Sequence, residues 1–416
     1  MSTILSYKAK CSMSLITVTG TEYKISPAYI KAISTDYKFK ANIMPILYAI
    51  LDVDQYIYQK LLDNATDGSI NLRIVNYNAN ADSGLEKEVC NEQFIYFVPT
   101  KYNYEKEIVG VDVDELGDTP HIVLGLIKAS MIYDNKFSFN GIYTKTTTEK
   151  ILKKFLKGLP NLVMDELEYD EEYESFLLPP QQTRSNAIDY LFNKNPFYST
   201  KYMFFMDFKN TYLLNTSGDA RNTAKSTILF QIENINARSA YYTGISKDMD
   251  NGTYVIYVNQ SDVNVSINTT TDKTYNQLVS TYTDMVTTVD SNIVTYTKDT
   301  TNKQDFSRAN AMATDIRKQI MDNTAVVINL TKMNLDSSLI TPDKSFVIDY
   351  ANYSAYNGKY LLIYKKEIIV RTGDNFNTTT IIGLERVATQ ESSTTSARMN
   401  DLYMEGKSKT KAVIKS

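Results

Sequence analysis

The chain has 416 residues, of which 43% are hydrophobic and 22% charged, and its formal net charge is −4. That length allows two or more folding units at roughly 100–200 residues each, the apolar fraction excludes wholesale disorder, and the mild acidity excludes the global basic field of a nucleic-acid binder. One histidine and no tryptophan, beside 32 tyrosines and 16 phenylalanines, remove most chemistry that needs a near-neutral base and most zinc sites.

At the N-terminus, Met1–Lys8 has no basic segment leading into an apolar one, so no signal peptide is expected. No window approaches the ~18 uninterrupted apolar residues of a membrane span. The Asn-x-Ser/Thr triplets at Asn215, Asn259, Asn264, Asn268 and Asn377 are what an Asn/Thr-rich composition produces. Cys11 and Cys90 form no CxxC pair, which points to buried thiols in an intracellular fold and leaves a disulfide between them open.

Residues 1–110 read as mostly β. Strands are predicted at 13–19, 69–74 and 94–98, the second by clean polar/apolar alternation, Ser69-Ile70-Asn71-Leu72-Arg73-Ile74. The apolar segment 45–51 and a short helix at 56–62 lie between the first two. Over 111–196 the character changes. His121–Ile127 is an apolar stretch of undecided type. Thr146–Leu156 has a threonine cap and an apolar stripe, and so predicts an amphipathic helix. An acidic run follows, then a stop at Leu177-Leu178-Pro179-Pro180 and a second helix over 183–192.

From Lys201 the pattern returns to strands. Residues 202–208 and 210–214 suggest a hairpin turning at Lys209-Asn210, and a second hairpin centres on Asp250-Asn251-Gly252. A threonine-rich excursion covers 269–304, and Ser307–Asp322 carries the clearest helical stripe. Five short strands follow, at 325–330, 345–348, 359–365, 367–370 and 380–384.

Candidate chemistry is sparse. His121 beside Pro120 reads as structural. The acids Asp165, Glu166, Glu168, Asp170, Glu171, Glu172 and Glu174 read as a solvated loop, since a glycosidase pair must face each other across a cleft. Asp112–Gly117 is no calcium loop, because Val123 stands where a bidentate glutamate is needed, and Asp248–Gly252 fails similarly at Asn259. Gly406-Lys407-Ser408 lacks the upstream glycine of a phosphate loop, having Asp401 there. Lys407, Lys409, Lys411 and Lys415 suggest a solvated basic end. No catalytic residue, cofactor or metal site is expected.

Three segments in order carry a resemblance. They are Asp36-Tyr37-Lys38 with Asn42-Ile43-Met44-Pro45-Ile46-Leu47; Phe176–Pro180 with Arg184 and Ala187–Leu191, before Phe204–Phe208; and Tyr356–Tyr360 to Arg371 with Asn377–Val387. In that order they resemble the baseplate hub proteins of contractile-tailed bacteriophages, also similar to the N-terminal part of type VI secretion spike proteins. The resemblance implies a β-dominated α+β fold with two tail-tube-like β-barrel domains and a smaller mixed domain between them. The corresponding division is 1–110 for the first part of one barrel, 111–196 for a mixed insertion, 197–240 for strands completing that barrel, 241–391 for the second barrel, and 392–416 for a flexible tail.

It further implies a non-enzymatic virion protein of the tail baseplate, made in the host bacterial cytoplasm. Such a protein forms a homotrimeric ring between the hexameric tail tube and the trimeric central spike, touching wedge proteins, with no membrane and no sequence-specific nucleic acid. The alternatives are another tail component (tube, adaptor or receptor-binding protein), or a carbohydrate-binding or glycoside-active protein using its tyrosines and acids.

Overall fold

The computed structural model describes residues 7–78, 86–99, 121–136, 138–198, 202–216, 226–234, 245–248, 253–267, 326–373 and 375–386. The class is β-dominated α+β. The N-terminal part supplies Tyr7–Ile16 (β1), Glu22–Ile25 (β2), Ile30–Lys38 (β3), Ile46–Asp52 (β4), Ser69–Asn78 (β5), Glu86–Phe97 (β6) and His121–Lys128 (β7). The helix Gln55–Asp63 (α1) starts where the Asp54 carboxylate accepts the Ile57 N–H at 2.9 Å.

A mixed segment follows, with Ala129–Lys136 (α2), Phe139–Thr147 (β8), Thr148–Phe155 (α3), Leu162–Met164 (β9), Glu172–Gln182 (β10), Arg184–Lys194 (α4), Tyr202–Met206 (β11) and Thr211–Asn215 (β12). The last group is Thr227–Glu233 (β13), Ile245–Asp248 (β14), Thr253–Asn259 (β15), Val263–Ile267 (β16), Val326–Met333 (β17), Ser345–Tyr350 (β18), Gly358–Thr372 (β19) and Asn375–Arg386 (β20).

Eight strands close into a barrel in the order β19–β3–β4–β7–β6–β5–β1–β20, because β20 pairs back onto β19. Every pairing round it is antiparallel. Alternate residues point inwards, and Leu15, Ile33, Leu47, Leu51, Ile70, Leu72, Phe94, Leu124 and Leu126 fill the interior. A barrel of this size is a packed core and not a pore.

A second set of eight strands runs β14–β15–β13–β18–β19–β20–β17–β16. It contains β13 in parallel pairing with both β15 and β18. Among the described residues no pairing joins β14 to β16, so this sheet is open where the first is closed.

The two sheets share the β19–β20 hairpin. Gly358–Tyr360 pairs with β18, and Tyr364–Val370 pairs with β3. The register slips between Leu362 and Tyr364, where the Ile363 carbonyl instead accepts the Phe39 N–H at 3.1 Å. Such a bulge bends a strand and increases its twist, which lets β19 pass from one sheet into the other. The two strands expected at 359–365 and 367–370 are therefore one. The charged Lys365-Lys366-Glu367 between them does not interrupt it, because Lys365 and Glu367 pair with each other on the same side.

The strand pairing corrects the expected division of the chain. Among the described residues, no strand from 197–240 completes the first barrel: β11 and β12 form a separate sheet with β9, and β13 belongs to the second sheet. The first barrel is closed by residues 364–378, and β7, expected outside it, is one of its walls.

In the mixed segment, β8 and β10 form a two-stranded antiparallel sheet. One face packs on α3 and α4, with Phe155 edge-on to Phe139 and Tyr143 (5.3 and 5.9 Å) and Phe176 against Tyr190 (5.9 Å). The expected threonine cap of the first helix is Thr147, and the second helix, expected from 183, starts at Arg184 with Thr183 as its cap. The expected stop at Leu177–Pro180 is instead part of β10. The prolines fit because the register slips between Leu178 and Gln182, and a proline is tolerated in a strand at an irregularity or on an edge.

The β11–β12 turn is also wider than expected. It comprises Asp207–Asn210, with the Asp207 carboxylate accepting the Lys209 and Asn210 N–H groups at 2.8 and 2.6 Å. The threonine-rich excursion 269–304, the helix 307–322, Asp112–Gly117 and residues 392–416 lie outside the described residues.

Candidate interaction surface

The candidate residues read from the sequence do not converge. His121 opens β7 opposite Asp52. Three members of the acidic run hold local structure. Asp165 accepts the Asn215 N–H at 2.7 Å, Glu168 accepts the Asn215 side-chain amide at 2.6 Å, and Asp170 accepts the Glu149 N–H at the start of α3 at 2.8 Å. Glu166, Glu171, Glu172 and Glu174 are exposed. Among the described residues no group of three or more His, Cys, Asp or Glu side chains is placed to hold a metal ion, and no helix is long and apolar enough to cross a membrane.

Cys11 and Cys90 are buried free thiols. Each is in register with Ile74 on the strand between them, so they stand two strands apart, about 9–10 Å at ordinary strand spacing. That exceeds the ~7 Å Cα separation a disulfide allows. Burial pushes both thiols up to about 12, which suppresses the reactive thiolate at pH 8. Thiol-specific alkylation is expected to modify neither cysteine in the native chain at pH 8 and both after unfolding, as read by intact mass.

One end of the barrel is filled by elements from elsewhere in the chain. The β11–β12 turn enters it, placing Phe208 edge-on to Phe94 (5.7 Å) and Tyr37 (6.2 Å), while Phe205 meets Phe39 at 4.8 Å. The segment between β17 and β18 adds the buried Leu335 and Ile340.

Buried lysines fasten both elements. Lys128 donates to the Phe208 carbonyl at 2.7 Å and pairs with Glu92 at 2.7 Å. Lys365 pairs with Glu367 at 2.9 Å, donates to the Ser337 carbonyl at 3.4 Å, and lies 4.2 Å from the centre of the Tyr37 ring. Burial, with the nearby Glu367 charge, holds the Tyr37 hydroxyl well above its usual range. This end thus joins the barrel to both the mixed segment and the second sheet, and none of these contacts was visible from spacing.

The outer wall of the barrel divides into two halves. Over β1 and β5 it carries Lys8, Lys10, Ser12, Asn71 and Arg73, an ordinary solvated face. Over β19, β3, β4 and β7 it is apolar. The register aligns Val370, Ala32, Ile50 and Val123 in one cross-strand row, and Ile368, Ser34, Tyr48 and Gly125 in the next. Ala32 and Ile50 are buried there, with the partly buried Tyr48, Val123, Ile368 and Val370 packed against them, in a cluster separate from the main core.

Phe97 of β6 extends the second row, its ring lying over Gly125 so closely that a Cβ there would stand 2.2 Å from it. Lys31–Asp52 (2.9 Å) and Lys366–Asp36 (3.9 Å) border the patch, with exposed Lys38 beside them. The signal for this surface was in the sequence. Residues 46–51 and 122–127 are apolar at nearly every position, which in a strand means that both faces are built for cover, whereas 69–74 alternates.

No protein-family model matches the sequence, and no curated protein matches it. Similar solved structures include the tail protein from Neisseria meningitidis MC58 (10% identity, 90% of this chain and 96% of that one, TM-score 0.46). They also include the 43 kDa tail protein of prophage MuSo2 from Shewanella oneidensis (8%, 90% and 97%, TM-score 0.45). A third is the E. coli c3393 protein, described as a type VI secretion component similar to the T4 tail proteins gp27 and gp5 (8%, 87% and 74%, TM-score 0.41).

Proposed function

We propose that the chain is a structural component of a phage-type tail, the central baseplate hub, whose three copies form a ring between a six-fold tail tube and a three-fold spike. The observation that carries this reading is the shared hairpin. One chain holds two eight-stranded sheets fused through β19 and β20, so three chains present six β-rich units on a three-fold axis. That arrangement matches a six-fold partner on one side and a three-fold one on the other. A ring of identical chains uses heterologous contacts that close by rotation.

On this reading the protein acts by assembly without catalysis. Its partners are two further copies, the tube and spike proteins and the surrounding wedge proteins, and its place is the virion tail. Native mass spectrometry or light scattering at assembly concentration is expected to give about 142 kDa, three times the 47.3 kDa chain. A strict monomer, alone and with a spike protein present, refutes the reading.

A further inference from the structure

We infer that Asn140, which precedes Gly141 on β8, is a modification site: it deamidates in the folded chain, through attack by its own backbone, to give aspartate and isoaspartate. The reaction needs a side-chain amide free to swing onto the next backbone nitrogen. It also needs that nitrogen uncommitted, and no following side chain in the way. Asn-Gly occurs at 140, 251 and 357, and the second of these lies outside the described residues.

The β8–β10 register shows where the Gly141 N–H points. Just beyond the Thr147–Glu172 pair, the Thr148 N–H donates to the Glu171 carbonyl at 3.0 Å. Bonded and non-bonded pairs alternate along an antiparallel ladder. Counting from that bond, Thr144–Ser175 and Ile142–Leu177 are bonded pairs and Gly141–Leu178 is a non-bonded one. The Gly141 N–H is therefore turned away from β10, towards the outer edge of β8, where no further strand pairs among the described residues.

Asn140 would be the next bonded position, but the residue facing it would be Pro179, which has no N–H. The register slips across 179–181 instead, and Asn140 has no register partner. Its side chain is exposed, and no hydrogen bond holds it among the described residues. Gly141 is exposed at φ +124°, and a Cβ built on it would meet nothing within 4 Å. Asn357 is the contrast. Its Oδ1 accepts the Tyr350 N–H at 2.6 Å, its Nδ2 donates to Asp349 at 3.3 Å, and Gly358 pairs with Ile348 of β18.

In the reaction the Gly141 nitrogen gives up its proton to solvent and attacks the Asn140 Cγ. A C–N bond forms, closing a succinimide ring, and the side-chain nitrogen takes up a proton and leaves as ammonia. Water then opens the ring at either carbonyl. One opening gives aspartate; the other runs the main chain through the side-chain carbon as isoaspartate. The longer main chain falls where β10 already sets three residues opposite Asn140, so the pairing from Gly141 to Thr147 need not shift. Either product puts a carboxylate on an open strand edge, where charge opposes pairing by another strand.

The test is tryptic mapping by mass spectrometry after the full native chain has been incubated. Asn140 is the sole asparagine of peptide 137–145, Asn357 falls in 345–359 and Asn251 in 248–273. Peptide 137–145 is expected to gain the mass of an amide-to-acid exchange, faster at pH 8 than at pH 6 because the attacking nitrogen must lose its proton. Isoaspartate-specific methylation is expected to label the same peptide, which separates the cyclic route from direct hydrolysis. Asn357 is expected to lag by about tenfold or more, since its hydrogen bonds must break first. The urea midpoint is expected to stay constant as Asn140 converts. A native chain unchanged at Asn140 while the urea-unfolded chain converts there overturns the inference, as do equal rates at Asn140 and Asn357. A midpoint that falls with conversion overturns the tolerance of β8 for the longer main chain.

Discussion

Phe208→Ala is expected to cost about 3–5 kcal/mol of stability, the usual range for removing a buried phenylalanine side chain. Phe208 lies in a four-residue turn, yet it is buried and packs edge-on to two rings inside the barrel. Its carbonyl takes the Lys128 ammonium, and the neighbouring Met206 N–H donates to the Ile43 carbonyl at 2.8 Å.

Phe208 and Phe205 are the aromatic contacts that join the mixed segment to the barrel at this end. The loss should therefore also reduce cooperativity. Urea denaturation followed by circular dichroism should show a lower midpoint and an early transition for residues 129–215. A single transition shifted by less than about 1 kcal/mol would show that the turn merely rests on the barrel.

Lys365→Met alone is expected to destabilise by about 3–5 kcal/mol, because it leaves the Glu367 carboxylate buried without its partner. Lys365 and Glu367 are both nearly inaccessible and 2.9 Å apart. Met keeps most of the stem volume, so packing changes little while the charge is lost. The double variant Lys365→Met, Glu367→Leu removes both charges and should return to within about 1–2 kcal/mol of the parent, since an apolar replacement of a buried pair is often neutral. Equal losses in the single and double variants would show that the Ser337 and Tyr37 contacts matter more than the ion pair. Chemical denaturation of the three chains decides this.

Local features were legible in the sequence wherever the physics is local. The caps Thr147 and Thr183 start helices because a side-chain oxygen meets an orphan amide within three residues. Strand β5 follows from alternation. The isolation of Cys11 from Cys90 only became visible in the register, since sequence spacing says nothing about which strand lies between two others. The division into domains was misjudged for the same reason. Residues 197–240 follow the insertion and have strand composition, so they look like a return to the first barrel. Composition does not specify a partner strand, and the described strands among those residues pair elsewhere.

The interaction surface was half legible. The two-sided apolar runs 46–51 and 122–127 were present, but the second was left undecided between helix and strand, because a short continuous apolar stretch has no period. Strand β3, which contributes Ala32 to the patch, was read only as part of a resemblance.

The single histidine, the missing tryptophan and the two lone cysteines were determined by the sequence alone, and with them the scarcity of ordinary catalytic and metal chemistry. So was the β-rich class, since side-chain alternation and turn residues act over a few positions. Only the tertiary structure decided that Ala9 meets Phe376 to close the barrel, that β19 and β20 serve two sheets, and that one half of the wall is apolar. Those outcomes depend on strand pairings between residues hundreds of positions apart. Their register is chosen by the burial of whole faces at once, and no local window contains both partners.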